Sequence, residues 1–141
     1  MIVLDTNVLS ECLRPAPDAR VMAWMAAQPS GSLFTTTVVE AEILYGIRLL
    51  AEGARKTALA SAVSEIFAVD LAGRVIPFDR DCAEAFADIA ASRKVSGQPI
   101  SQFDAMIAAV TRSRGATLAT RNQRDFADCG IGLIDPWARG E

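Results

Sequence analysis

The chain has 141 residues, a net charge of −3, 51% apolar residues and no histidine. That length suits one domain able to bury roughly 70% of its unfolded surface, and the missing imidazole excludes histidine acid–base catalysis, Ser-His-Asp and Cys-His pairs and His-bearing zinc sites. An acidic balance, with pI about 5.0, argues against nucleic-acid binding through a broad basic surface but leaves room for a site where bound cations bridge protein to phosphate.

Ile2-Val3-Leu4 is a short apolar run that reads as a buried strand with Asp5 at its carboxyl end. Asn7 to Leu13 suits a short helix stopped by Pro15 and Pro17, and Asp18 to Gln28 a second one ended by Pro29. Ser32 to Thr35 is a second strand, after which Thr35-Thr36-Thr37 offers hydroxyls to cap a helix from about Val38 to Leu50. Ala54 to about Phe67 forms another helix, and Arg74 to Phe78 a third strand with Pro77 near its end. An Ala-rich helix from Arg80 to about Lys94 leads to a turn at Ser96-Gly97-Gln98-Pro99. Ser101 to Ser113 is helical, with Gly115 placed to end it, and Ala116 to Ala119 and Gly132 to Ile134 are the fourth and fifth strands. Strands alternating with helices predict an α/β fold with a short, mostly parallel five-stranded sheet flanked by helices, in one domain over residues 1–141.

Cys12, Cys82 and Cys129 are odd in number and widely spaced, which favours free thiols in a reducing cytosol over disulfides or a Cys zinc site. No signal peptide is expected, and no window approaches the ~18 apolar residues of a membrane span. With two lysines, Lys56 and Lys94, and one tyrosine, Tyr45, carboxylates with a metal are the economical route to any hydrolysis.

In open α/β sheets, ligands gather outside the carboxyl ends of the strands. Asp5 belongs there, although an Asp before Thr6-Asn7 also suits a helix cap. Asp104 falls in the first turn of its helix, where Ser101 three residues earlier makes a capping box an equally ordinary reading. Glu40 and Glu42 both fall at the edges of the apolar arc made by Val39, Ile43 and Ile47; helical geometry does not choose between them, and a charge there needs a partner, an arginine or a metal. After the fourth strand, Asn122 offers a neutral oxygen and Asp125 a charged one. Carboxylates gathered in one pocket raise each other's pKa unless a hard divalent cation compensates them.

Four ordered blocks then resemble PIN domains of the VapC and FitB type. They are Ile2-Val3-Leu4-Asp5-Thr6-Asn7-Val8-Leu9-Ser10-Glu11, Thr37-Val38-Val39-Glu40-Ala41-Glu42-Ile43-Leu44-Tyr45-Gly46, Phe103-Asp104-Ala105-Met106-Ile107-Ala108-Ala109, and Leu118-Ala119-Thr120-Arg121-Asn122-Gln123-Arg124-Asp125-Phe126, with Pro136-Trp137 beyond them. The acid four residues before Gly46 in the second block selects Glu42. The resemblance implies a PIN fold and a toxin of a toxin–antitoxin pair. It implies an endoribonuclease dependent on Mg²⁺ or Mn²⁺, with Asp5, Glu42 and Asp104 as the metal-binding acids and Thr6 and Thr120 as pocket hydroxyls. It also implies a homodimer, a cytoplasmic location and a cognate antitoxin that carries the DNA binding. Parts of the family have an acid where this chain has Asn122; Asn122 itself, Asp125, or a weakly held second metal answers that departure. Arg112, Arg114, Arg121 and Arg124 are candidate contacts to RNA phosphates.

Three rivals stand beside this reading. An aspartyl-nucleophile phosphatase wants D-x-D, and this chain has Asp5 followed by Asn7. A receiver domain wants an acid pair late in the first strand and a phosphorylated Asp on the third, and neither is present. A catalytically degenerate PIN scaffold, binding antitoxin or RNA without cleaving, is the alternative that Asn122 leaves in place.

Overall fold

The computed structural model describes residues 1–138, so the end of the expected domain, residues 139–141, lies outside the described residues. The strands are β1 (Ile2–Leu4), β2 (Leu33–Thr36), β3 (Val75–Ile76), β4 (Thr117–Ala119) and β5 (Gly132–Ile134). Around them run α1 (Thr6–Cys12), α2 (Ala19–Ala27), α3 (Thr37–Arg48), α4 (Ala54–Glu65), α5 (Arg80–Val95) and α6 (Gln102–Ser113). All neighbouring strands are parallel, in the order β3-β2-β1-β4-β5.

β1 is central because it is the most apolar: Val3 and Leu4 are fully buried, and it pairs with both β2 and β4. From β1 the chain builds outward through β2 to β3, then returns across the sheet to β4 and β5. The strand order therefore reverses between β1 and β4, and the crevice beyond their carboxyl ends is the topological switch point of this sheet. α6 packs on α5, α3 and β4, and α3 packs on α1 and α4. Leu4, Ile89, Ile107, Leu118 and Phe126 are the largest side chains closed off from solvent between these layers.

Several boundaries move for physical reasons. β3 is two residues rather than five, since Pro77 has no N–H to extend the ladder. The helix begun at Ala54 ends in a π turn, Ile66–Asp70, in which the Leu71 N–H reaches the Ile66 carbonyl at 2.8 Å. Gly115 takes φ +61 and closes α6, with its N–H on the Arg112 carbonyl and that of Ala116 on the Thr111 carbonyl. The three cysteines are free, as expected.

The three threonines after β2 divide their work. Thr35 donates to the Leu4 carbonyl at 2.9 Å, tying β2 to β1, and Thr37 accepts from the Phe78 N–H at 3.3 Å. Thr36 is the N-cap of α3, its hydroxyl accepting from the N–H groups of Val38 and Val39, both at 3.1 Å. Because Thr36 is fully buried, no water replaces it. Thr36→Val is expected to cost about 1–2 kcal/mol and to lower the melting temperature by several degrees; an unchanged thermal melt would show that α3 does not depend on this cap.

Candidate active site

Asp5 follows directly from the central strand and caps α1, and it is only 3% exposed. Its Oδ1 accepts from the Thr6 N–H at 2.8 Å and its Oδ2 from the Thr120 hydroxyl at 2.7 Å. Thr120 stands just past β4, so this bond spans the switch point. The Thr120 oxygen also accepts from Asn7 Nδ2 at 3.2 Å and from the Asn122 N–H at 3.0 Å. With both lone pairs of that hydroxyl taken, its single proton is committed to Asp5. Asn7 completes the weave, its Oδ1 accepting from the Arg121 N–H at 3.4 Å.

Glu42 joins from α3. Its Oε1 accepts from the Thr6 hydroxyl at 2.8 Å, so Thr6 holds Asp5 by its backbone and Glu42 by its side chain. Glu40 faces elsewhere, lining a small recess with Leu44, Val63 and Phe67. The structure thus brings Glu42 to Asp5, and the two glutamates left open by helical geometry lie on different sides of α3.

Asp104 is half-buried in the first turn of α6, where the Ser101 hydroxyl accepts its N–H at 3.2 Å as the helix cap. The capping reading is met through the backbone N–H of Asp104 and does not use its carboxylate. Burial pushes the Asp5 carboxyl up to about 6, opposed by the Thr120 and Thr6 hydrogen bonds and reinforced by the charges of Asp104 and Glu42. Burial also raises Asp104; its Ser101 bond opposes the shift, the Asp125 charge adds to it and the Arg93 guanidinium counters it. Asp104 and Glu42 thus both act on Asp5 at the carboxyl edge of the sheet, with Asp125 beside Asp104.

Arg93 is a site residue that no motif marks. It is 6% exposed, at the end of α5, and an arginine in the last turn of a helix reads from sequence as ordinary dipole compensation. In the fold its Nε donates to the Gln98 carbonyl at 2.6 Å and its Nη1 to the carbonyls of Asp125 and Ala127, both at 2.9 Å. It clamps the turn leading into α6 onto the loop that carries Asn122 and Asp125. Asn122 and Asp125 are exposed, and the Asp125 N–H returns to the Asn122 carbonyl at 3.2 Å.

The four arginines separate. Arg114 pairs with Asp79 at 3.0 Å, and Arg112 lies against Gly130. Both belong to the end of α6 that feeds the amino end of β4, about 12–15 Å of helix away from Asp104. The structure does not bring them to the acidic edge. Arg121 and Arg124 lie on the loop past Thr120 and are exposed.

Beside Glu42 and Thr6 opens a groove of about 790 Å³ between α1, α3 and α4, with apolar walls that include Leu13, Pro15, Ile47 and Leu59. Among the described residues no three acids close into a preformed metal cage. The available donors, carboxylates with Thr6, Thr120 and Asn122 oxygens around them, are hard oxygen ligands in an open arrangement. That chemistry fits an ion that keeps several of its waters, and such an ion would offset the cost of ionising the buried Asp5 carboxyl beside Asp104 and Glu42.

Comparison with known proteins agrees along the whole described fold. The PIN domain family matches residues 2–131. VapC ribonuclease Y4jK of Sinorhizobium fredii is 39% identical over 137 residues, covering 97% of this chain and 98% of that protein. Toxin FitB of Neisseria gonorrhoeae is 35% identical over 137 residues, covering 97% and 99%. The crystal structure of FitAcB from Neisseria gonorrhoeae superposes with a TM-score of 0.90 at 35% identity, over 97% of this chain and 99% of that one. The structure of FitAB bound to an IR36 DNA fragment gives 0.91 at 34% identity, over 100% and 99%. With its all-parallel sheet, its acids at the switch point and these matches over nearly its full length, the chain belongs to the PIN-domain family.

Proposed function

We propose that this chain is the toxin of a toxin–antitoxin pair, an endoribonuclease that hydrolyses RNA phosphodiester bonds with Mg²⁺ or Mn²⁺ held by Asp5, Glu42 and Asp104. The observation that carries the reading is Asp5. A carboxyl buried at the switch point, bonded on both oxygens and pushed up to about 6 beside two more acids, is costly for a fold unless the site uses it. The names of the relatives, VapC ribonuclease and toxin FitB, support the same reading.

A bound divalent ion would supply water activation and offset the charge on the phosphate and leaving oxygens. The chain's own residues would hold it: Asp5, at the sheet edge, and Asp104, on α6, would bind it, and Glu42, tethered by Thr6, would complete the set, while Thr120 fixes the Asp5 rotamer. No protein nucleophile is used. With neutral Asn122 in the fourth block, one ion would be held firmly and a second weakly, which would leave this centre active rather than a degenerate scaffold.

The partner is an antitoxin. The apolar groove beside Glu42 can seat an apolar segment of it, and an arginine reaching from that segment would inhibit by occupying the carboxylates in place of the ion. Contact with DNA falls to the antitoxin, as an acidic chain of net charge −3 has little use for it. No helix among the described residues is long and apolar enough to cross a membrane; a single domain over residues 1–141, a cytoplasmic location and a homodimer belong to the same proposal. Purified chain free of antitoxin should cleave structured RNA with Mg²⁺ or Mn²⁺, stop in EDTA and resume when Mn²⁺ is restored. Cleavage that persists in EDTA would remove the metal from the mechanism. No cleavage of any RNA, with metal binding also absent by calorimetry, would favour the degenerate scaffold, whereas metal binding without cleavage would point to a different RNA substrate.

A further inference from the structure

We propose that Arg121 binds a phosphate of the RNA beside the acidic centre, held ready for it by Trp137; the inference rests on the ribonuclease reading. An acidic centre repels the substrate it must cut, so a fixed cation at its mouth has a clear use. Arg121 immediately follows Thr120, the residue bonded to Asp5, and its own N–H is tied to Asn7. Its guanidinium carbon lies 5.1 Å from the ring centroid of Trp137, within cation–π range.

The two partners differ in exposure, and that difference defines their roles. Trp137 is 6% exposed and anchored, its N–H donating to Asp135 Oδ1 at 2.9 Å, while Arg121 is exposed. Stacking uses the face of a guanidinium and leaves its N–H edge free to donate to two phosphate oxygens in a forked geometry. Among the described residues the Arg121 side chain makes no hydrogen bond or ion pair, whereas Arg20 and Arg114 are paired with Asp18 and Asp79. A stacked arginine has also lost rotamer freedom in advance, so less is lost on binding. Trp137 is thus a positioning residue acting through Arg121, which gives the Pro136-Trp137 pair a purpose close to the centre.

The test is RNA binding in an Asp5→Asn background with Mg²⁺, read as fluorescence anisotropy of a labelled single-stranded oligonucleotide between 50 and 300 mM KCl. Arg121→Gln should weaken binding about tenfold at the lowest salt and reduce the slope of log K against log [salt] by about 0.7, the share of one phosphate on a single strand. Arg121→Lys should retain the slope and lose part of the affinity. Trp137→Leu should weaken binding about threefold with the slope retained, and adding it to Arg121→Gln should cost nothing more. Arg114→Gln, at the other end of α6, should leave both quantities unchanged. Because Arg121 is exposed, its variants test the idea even where Trp137→Leu fails to fold. An unchanged slope in Arg121→Gln would overturn the inference and leave the ribonuclease reading intact. Absence of RNA binding by Asp5→Asn together with absence of cleavage by the wild type would overturn both.

Discussion

Asp5→Asn is expected to abolish RNA cleavage and, in the absence of metal, to make the protein more stable at neutral pH by about 1–2 kcal/mol. The two effects have one origin. The Asp5 carboxyl is raised from 3.8 to about 6, chiefly by burial, so its charged form is disfavoured in the folded state. Below about pH 4 both folded and unfolded chains hold the proton and nothing is lost. Between there and pH 6 the folded chain binds a proton that the unfolded chain has released. Above pH 6 both are ionised and the folded state carries the whole penalty. Asp104, raised in the same direction, adds to it. Asparagine removes the charge and keeps an oxygen for the Thr6 N–H, so the cap of α1 survives. Its amide N–H₂ then meets the Thr120 hydroxyl, itself a donor at that contact, and this mismatch offsets part of the gain.

Thermal melts in EDTA at pH 7.5 should therefore place Asp5→Asn about 2–10 °C above the wild type, at roughly 2–5 °C per kcal/mol for a chain of this size. The gap should narrow as the pH falls toward 4. With Mg²⁺ or Mn²⁺ added, the wild type should recover stability as the ion binds the folded state, and the variant should not. A variant less stable than the wild type in EDTA at pH 7.5 would mean that the ionic hydrogen bonds to Thr6 and Thr120 outweigh the cost of burial. The acidic centre would then be no source of instability.

How much of this was legible in the sequence follows from the range of the interactions concerned. Apolar runs and turn residues act locally, so the strands, the alternation with helices and the Gly115 stop could be read directly. The β3 ladder could not, because its length depends on a neighbour as well as on Pro77. Asp5, Asp104 and one of two glutamates were legible as acids at an expected ligand-binding edge. Periodicity left Glu40 and Glu42 equal, since what separates them is the Thr6 hydroxyl, 36 positions from Glu42 in the chain. Arg93 was illegible for the same reason. Its acceptors at Asp125 and Ala127 are backbone carbonyls, which every residue possesses, 32 and 34 positions away. The four arginines looked alike in sequence; only the direction of α6 shows that Arg112 and Arg114 point to the wrong end of the sheet.

Arg93→Met is expected to have the largest cost in stability, about 3–5 kcal/mol, through the loss of a buried cation bonded to three carbonyls. Met has nearly the length of the arginine stem and fills much of its volume, so the loss isolates the guanidinium. The carbonyls of Gln98, Asp125 and Ala127 would be left to find water, which the low exposure of this site restricts. A domain stable by about 8–10 kcal/mol, near the middle of the ordinary range, stays folded with a melting temperature lower by roughly 10–15 °C. Function changes for a second reason. Arg93 lies close enough to Asp104 to oppose the rise in its pKa, so without the cation that carboxyl moves further up. The acid limb of the cleavage profile should then shift to higher pH in Arg93→Met, measured well below its melting temperature. Arg93→Lys keeps a positive charge with fewer and less well aimed donors. It should recover much of the pH profile and only part of the stability, because the charge acts through space and the clamp needs the planar fork. Arg93→Met melting at the wild-type temperature would rule out the clamp, and an unmoved acid limb in a destabilised but folded variant would confine Arg93 to holding the loop.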